Sequence, residues 1–258
     1  MITRQQIEDL ASFYQIDQFT VFRQYLQLVF LNYLYQQPGA DKVYFKGGTA
    51  IHLLLGSPRF SEDLDFSTEY HRREIKKLVK LSEKEIAKEL PNFKTLSLYQ
   101  AKRSIRLRIK YFHPDFKYPF VIRLDFLQGE KPVQRPLSAP LVTRFPLVLF
   151  PVILHLSAEE ILAEKIRAFL TRAKGRDIFD LWFLLEKGTF VNIDLVCKKL
   201  RRVKKGFSIQ ELEKKVKSIP TRDLERDLSQ FLPQPQRRII DNLKERLIRY
   251  LEKLTYER

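Results

Sequence analysis

Apolar positions along the chain follow two periods. In the stretch QFTVFRQYLQLVFLNYLYQ, Phe22, Leu26, Val29, Phe30 and Tyr33 recur at helical spacing and predict a strongly buried helix. KVYF then reads as a short strand that runs into Gly47-Gly48. TAIHLLL follows as a short helix that Gly56 can end. In Asp63-Leu64-Asp65-Phe66 the period drops to two. On a strand, Leu64 and Phe66 point to the core, and both carboxylates share the other face. RREIKKLVKLSEKEIAKEL returns to the helical period, with Ile75, Leu78, Val79, Leu81 and Ile86 on its apolar side. Arg72, Arg73, Lys76, Lys77 and Lys80 crowd its first turns.

Two alternating runs come next. Ile105, Leu107 and Ile109 face one way, against Arg106, Arg108 and Lys110; Ile122, Leu124 and Phe126 face the core, against Arg123 and Asp125. HPDFKYP between them is turn-like, so the pair predicts an antiparallel hairpin with a basic polar face that carries one carboxylate. From Lys131 to Pro151, prolines recur at Pro132, Pro136, Pro140, Pro146 and Pro151. Proline removes a backbone donor and clashes within a helix, so this segment is read as the domain boundary. It separates a first domain, residues 1–135, from a helical one, residues 150–258. The second opens with a capping box, Ser157 with Glu160, and has Gly188 as a helix end.

Composition narrows the class. The 47 Lys and Arg residues exceed the 31 Asp and Glu by 16. Such an excess suits a polyanionic partner such as nucleic acid or a nucleotide, or else serves solubility and heat adaptation. The single cysteine, Cys197, excludes a disulfide framework and a cysteine-rich zinc site. The polar start carries no signal-peptide core, and the apolar run FPLVLFPVILHL is too short to span a bilayer. A reducing, cytoplasmic setting without membrane contact is expected.

The candidate chemistry starts at Asp63 and Asp65. Two adjacent carboxylates repel, and an oxygen-preferring divalent cation such as magnesium removes that cost. Alternatively they are two solvated aspartates on a strand. Gly47-Gly48 between strand and helix lets a phosphate approach free backbone N–H groups, or is an ordinary turn. No Gly-Lys-Ser/Thr ending follows, which excludes a P-loop. Asp125 is either a third metal carboxylate or an ion-pair partner for the arginines around it. Lys165 stands in the apolar row Ile161, Lys165, Phe169, either snorkelling to solvent or buried as an ammonium. Asp177 and Asp180 share one helical face, where acidic residues also suit a helix N-terminus. His52 and His155 lie among apolar neighbours as core histidines rather than metal ligands.

The order of strand, Gly-Gly, helix, strand with two aspartates, and later strand with one more resembles the nucleotidyltransferase superfold related to DNA polymerase β. GGTAIHLLLGSPRFSEDLDFS is more closely similar to the signature of the AbiEii/AbiGii toxin family: Gly47, Gly48, Thr49 and Ala50, then Arg59, Ser61, Asp63 and Asp65. AEKIRAFLTRAKGRDIFDL matches that family's second signature through Glu164, Lys165, Arg176, Asp177 and Asp180. The resemblance covers roughly residues 40–190.

The resemblance implies an α+β protein: a polymerase β-like mixed sheet flanked by helices, then a helical domain that completes the active site. The implied activity moves a nucleoside monophosphate from an NTP to an acceptor. Asp63, Asp65 and Asp125 would hold two Mg²⁺ ions. Gly47, Gly48 and Thr49 would cradle phosphate, while Lys165 and Arg59 neutralise developing charge. A carboxylate of the later helix, Asp177 ahead of Asp180, would join the site, and similar toxins can be modified at the serine matching Ser61. It further implies the toxin half of a type IV toxin–antitoxin pair, with a separately encoded antitoxin and RNA, such as a tRNA 3′ end, as acceptor. The hairpin's basic face and the stretch CKKLRRVKK fit RNA. A Mg²⁺-dependent nuclease and a non-catalytic nucleic-acid-binding module stand as alternatives.

Overall fold

The structure is a computed structural model that describes residues 1–101, 103–147 and 150–256. Val148 and Leu149 of the apolar run lie outside the described residues. The elements are α1 (Arg4–Tyr14), α2 (Gln18–Tyr35), β1 (Val43–Lys46), α3 (Gly47–Leu55), β2 (Leu64–Thr68) and α4 (Arg72–Ile86), followed by β3 (Lys94–Gln100), β4 (Ser104–Tyr111), β5 (Phe120–Gln128), β6 (Leu137–Pro140) and β7 (Val152–His155). Helices then take over: α5 (Ala158–Arg172), α6 (Gly175–Glu186), α7 (Ile193–Arg201), α8 (Ile209–Ser218), α9 (Thr221–Leu228) and α10 (Leu243–Tyr256). The fold is α+β. The chain divides into two compact units, residues 1–56 with 60–156, and residues 57–59 with 157 onward.

The first unit is built on one mixed seven-stranded sheet in the order β3-β4-β5-β2-β1-β7-β6. β2 pairs antiparallel with β1 and parallel with β5, and β4 pairs antiparallel with β5 as the hairpin predicts. Helix α2 is apolar at the expected positions and is buried nearly all round, including Arg23, Gln24 and Gln27. A helix buried on every side leaves no polar stripe for periodicity to find, which is why its polar residues do not mark a solvent face. In α4, Ser82 rather than Leu81 completes the buried side; Leu81 is exposed. Three strands escape the hydrophobic pattern. β3 is an edge strand with most positions exposed, β6 is a four-residue strand in the proline-spaced segment, and β7 is another that begins right after Pro151. Sheet partners stabilise them, and local sequence does not report partners.

Sheet register positions the chemistry. Phe45, Phe66, Phe126 and Ile105 lie opposite one another across β1, β2, β5 and β4, and all four are fully buried. The Phe66 and Phe126 rings stack at 4.7 Å. Each such side chain contributes about 1.5–3 kcal/mol through burial. One residue along, on the opposite face, the same pairings align Lys46, Asp65, Asp125 and Arg106. A one-residue slip would bury these charges and expose the rings, so the aromatic row fixes the charged one.

The second unit is helical. Ser157 caps α5 by accepting the Glu160 amide hydrogen at 3.1 Å, the N-cap half of the predicted box, and Gly188 follows α6 with a positive φ of 76°. Gly175 opens α6 against α9: a Cβ there would lie 3.1 Å from Asp227 Cβ and from Leu224 Cδ2. The Asp227 carboxylate accepts the Gly175 amide hydrogen at 3.0 Å.

Candidate active site

In the first unit, the turn from β1 into α3 meets the two aspartates. Gly47 has φ +80°, and a Cβ on it would fall 2.2 Å from Asp65 Oδ2. Only glycine fits there, for its backbone and because the Asp65 carboxylate occupies the space a side chain would need. Asp63 lies just ahead of β2, one residue before the strand that the sequence assigns it to. Side chains pin the loop that carries it. Thr49 donates its hydroxyl hydrogen to the Asp63 carbonyl, Gln27 donates to the Ser61 carbonyl at 2.9 Å, and Arg23 pairs with Glu62 at 3.1 Å. The Thr49 hydroxyl is thus engaged with the chain itself.

The arginines of the hairpin reach back to these carboxylates. Arg123 clamps Asp63 with two bonds, Nε to Oδ1 at 2.9 Å and Nη2 to Oδ2 at 2.6 Å. The bond to Asp63, more than any other neighbour, raises the Arg123 pKa above its ordinary value. Arg106 bonds Asp125 at 2.8 Å, so Asp125 is an ion-pair partner here. Asp65 and Asp125 stand directly opposite each other on parallel strands, and Lys46, largely buried, stands opposite Asp65 on its other side. With two carboxylates drawn to arginines, no group of three His, Cys, Asp or Glu side chains among the described residues converges as a metal cluster.

The second unit holds the other candidates as a buried ion cluster. Asp180 is fully buried and accepts two bonds from Arg59, at 2.8 and 2.9 Å, while Lys165 Nζ lies 2.6 Å away. Lys165 Nζ is also 3.5 Å from Asp177, which in turn accepts two bonds of 2.9 Å from Arg172. Lys165 is thus a buried, paired ammonium, not a snorkelling side chain. Burial opposes its charge, but Asp180 and then Asp177 outweigh that, and its pKa is raised. Burial likewise opposes ionisation of Asp180; Arg59 and Lys165 prevail and hold its carboxyl below the usual range. Arg59, expected as a phosphate-facing cation, is enclosed and committed to Asp180.

Two further expectations resolve simply. His155 is buried, its Nδ1 lies 2.8 Å from the Leu156 carbonyl, and burial lowers its pKa; His52 sits 3.2 Å from Gln24 Oε1. In CKKLRRVKK, Lys199 is not surface charge: it is buried between Glu160 at 2.7 Å and Glu164 at 2.9 Å. The remaining lysines and arginines of that stretch are exposed.

The model of the family described as nucleotidyl transferase AbiEii toxin, type IV toxin–antitoxin system, matches residues 29–255. The chain belongs to the AbiEii family. It is therefore a nucleotidyltransferase toxin that takes an NTP as donor and has an antitoxin as its partner. Among solved structures, the nucleotidyltransferase toxin MenT4 from Mycobacterium tuberculosis is similar at 21% identity and a TM-score of 0.65, over 98% of this chain and 90% of that one. JHP933 from Helicobacter pylori is similar at 21% identity and a TM-score of 0.59, over 94% and 96%. Both likenesses support the fold. No curated protein matches in sequence. Among the described residues, no helix is long and apolar enough to cross a membrane.

Three features beside the candidates were not singled out in the sequence: Lys46 opposite Asp65, Arg172 on Asp177, and the clamp of Arg123 on Asp63. Lys46 adjoins the glycine pair, a signal that was available. The Arg123 clamp spans sixty residues and was not.

Proposed function

We propose that this AbiEii enzyme transfers a nucleoside monophosphate from an NTP to an RNA acceptor, such as a tRNA 3′ end, in the cytoplasm and with magnesium. What supports this most is the row Lys46, Asp65, Asp125, Arg106, set by strand register beside the Gly47 turn. The chemistry of the residues suits magnesium: Asp65 and Asp125 offer hard oxygens on one sheet face, Asp63 lies just ahead of it, and Gly47 leaves room for the Asp65 carboxylate. Asp63 and Asp125 would leave Arg123 and Arg106 for the ions. Bound there, the two ions would acidify the attacking hydroxyl and steady the departing pyrophosphate.

The chain's own groups do the rest. Backbone amides of Gly47, Gly48 and Thr49 at the start of α3 bind phosphate, since the first turn of a helix leaves its N–H groups unsatisfied. The Thr49 hydroxyl, Gln27 and Arg23 keep the Asp63 loop in place. Ser61 belongs to that pinned loop, where an added phosphate would set negative charge beside Asp63. In the second unit, Lys165 is the ammonium proposed for the triphosphate, with Asp177 as its accompanying carboxylate; Arg59 and Asp180 hold Lys165 in position. Arg106, Arg108, Lys110 and Arg123 form the basic face proposed for the acceptor strand.

Incubating the protein with total RNA and each labelled NTP in turn, with and without magnesium, tests this. Labelled, lengthened RNA that needs both NTP and magnesium is expected. RNA that shortens without NTP would establish the nuclease alternative, and neither outcome would leave only a binding module.

A further inference from the structure

Arg123 holds Asp63 with two short bonds, yet its side chain is 51% exposed and that of Asp63 25% exposed. Water and dissolved ions reach a pair with this exposure and compete for it. Its surroundings hold a second guanidinium, and Asp63 offsets the repulsion between the two while the pair stays closed. In the β4–β5 register Arg108 stands directly opposite Arg123, and like charges so placed repel unless a carboxylate compensates. Arg108 itself has a shielded Nε with no hydrogen-bond partner, an unmet donor beside Arg123.

We propose that Arg123 is an exchangeable counter-ion. It occupies the Asp63 carboxylate while the divalent cation is absent, and it is handed to a phosphate of the acceptor strand when the cation takes Asp63. The inference rests on the reading of Asp63 as a metal carboxylate. Two consequences follow from the geometry. First, the cation must compete with a guanidinium for Asp63, so part of its affinity is spent on displacing Arg123. Second, release places two guanidiniums side by side across β4 and β5, and the unmet Nε of Arg108 joins them. A phosphate diester is the ligand that satisfies such a pair, because planar forks match its oxygens. Cation binding thereby assembles the acceptor contact, and the two substrates are ordered without any rearrangement of the backbone.

The test uses the full chain without nucleotide. Free Mn²⁺ is followed by electron paramagnetic resonance during titration of the parent, Arg123→Ala and Arg108→Ala. Both variants remove one exposed or half-exposed charge from the same face, so both should fold, and both change the long-range field. Only Arg123→Ala removes the competitor. It should bind Mn²⁺ about fivefold more tightly than Arg108→Ala, the factor a surface pair of this kind represents. Equal Mn²⁺ affinities in the two variants would overturn the exchange.

A second arm measures binding of a single-stranded RNA oligomer with and without Mn²⁺. The deficit of Arg123→Ala relative to the parent should appear only when the cation is present, and that of Arg108→Ala should grow when the cation is added, because the two guanidiniums act as a pair only after release. A deficit of Arg123→Ala that is independent of the cation also overturns the proposal. A protein that labels no RNA yet shows the Mn²⁺ difference upholds the exchange at Asp63 and sinks the acceptor reading instead.

Discussion

Replacing Asp180 with alanine removes the centre of the buried ion cluster in the second unit. Asp180 accepts two bonds from Arg59 and stands 2.6 Å from the Lys165 ammonium, and the side-chain exposures are 1%, 2% and 11%. Alanine leaves the Arg59 guanidinium buried without this acceptor, and Lys165 with Asp177 alone at 3.5 Å. Breaking a buried pair from one side costs ~3–5 kcal/mol, because the stranded charge has no water to turn to. Against a total stability of ~5–15 kcal/mol this is a large fraction. The only tryptophan, Trp182, sits on α6 two residues away, its ring edge-on to Phe179 at 5.4 Å. Its fluorescence in urea therefore reports this unit. With a slope of ~1–3 kcal/mol per molar, the midpoint should fall by ~1 M or more. Asp180→Asn, which keeps the shape and one acceptor, should fall between. An unfolding free energy for Asp180→Ala within ~0.5 kcal/mol of the parent would refute the reasoning, since such values are typical of exposed positions. The pH profile has a determined sign. The Asp180 contribution is complete above the unfolded carboxyl value of ~3.9 and is lost as pH falls through its lowered folded value. The Lys165 contribution is complete below ~10.4 and is lost as pH rises through its raised folded value. The parent should lose this stability only at the acid and alkaline extremes, and the acid loss should shrink in Asp180→Ala.

Asp63→Ala should abolish transfer in the RNA-labelling assay while thermal unfolding shifts by less than ~1 kcal/mol, since its partner Arg123 is exposed. The repulsion between bare carboxylates that the sequence suggests is already offset by arginines, so no gain in stability is expected; retained turnover at saturating Mg²⁺ would remove Asp63 from the site. Lys165→Met should lose most of its rate and also ~1–3 kcal/mol in urea, because buried Asp180 and Asp177 each lose a cation; an active, fully stable variant would contradict both roles. Gly47→Ala should lose activity and ~1 kcal/mol or more, from its positive φ and the displaced Asp65 carboxylate; unchanged turnover would show the turn to be dispensable. Arg106→Ala with Arg108→Ala should weaken RNA binding in filter titrations and make its logarithmic salt slope shallower by ~2, with a smaller effect on NTP; parental RNA affinity at every salt concentration would move the acceptor off this face.

Much of this was legible because it is local. The β1–Gly-Gly–α3 turn, the capped start of α5, Gly188 after α6 and the β4–β5 hairpin each depend on residues within one element or its end. Leu64 and Phe66 inward with the aspartates outward follows from the two-residue period alone. Strands β3, β6 and β7 were not legible, because an edge strand and two four-residue strands owe their stability to partners that the chain reaches only after folding.

The sequence by itself determined which side of each element carries charge, and it held enough residues in matching order to mark the AbiEii resemblance. The partners of those charges were decided by the tertiary structure alone. Asp63 meets Arg123 because β2 pairs parallel with β5, and Asp180 meets Arg59 across 121 residues. Lys199 looks like a surface lysine on its helix and the sequence leaves Lys165 open between snorkelling and burial; packing turns both into buried ammoniums between carboxylates. The physical reason is range. Side-chain periodicity is fixed by backbone geometry over a few residues, whereas an ion pair is fixed by distance in space, which only strand register and helix packing set.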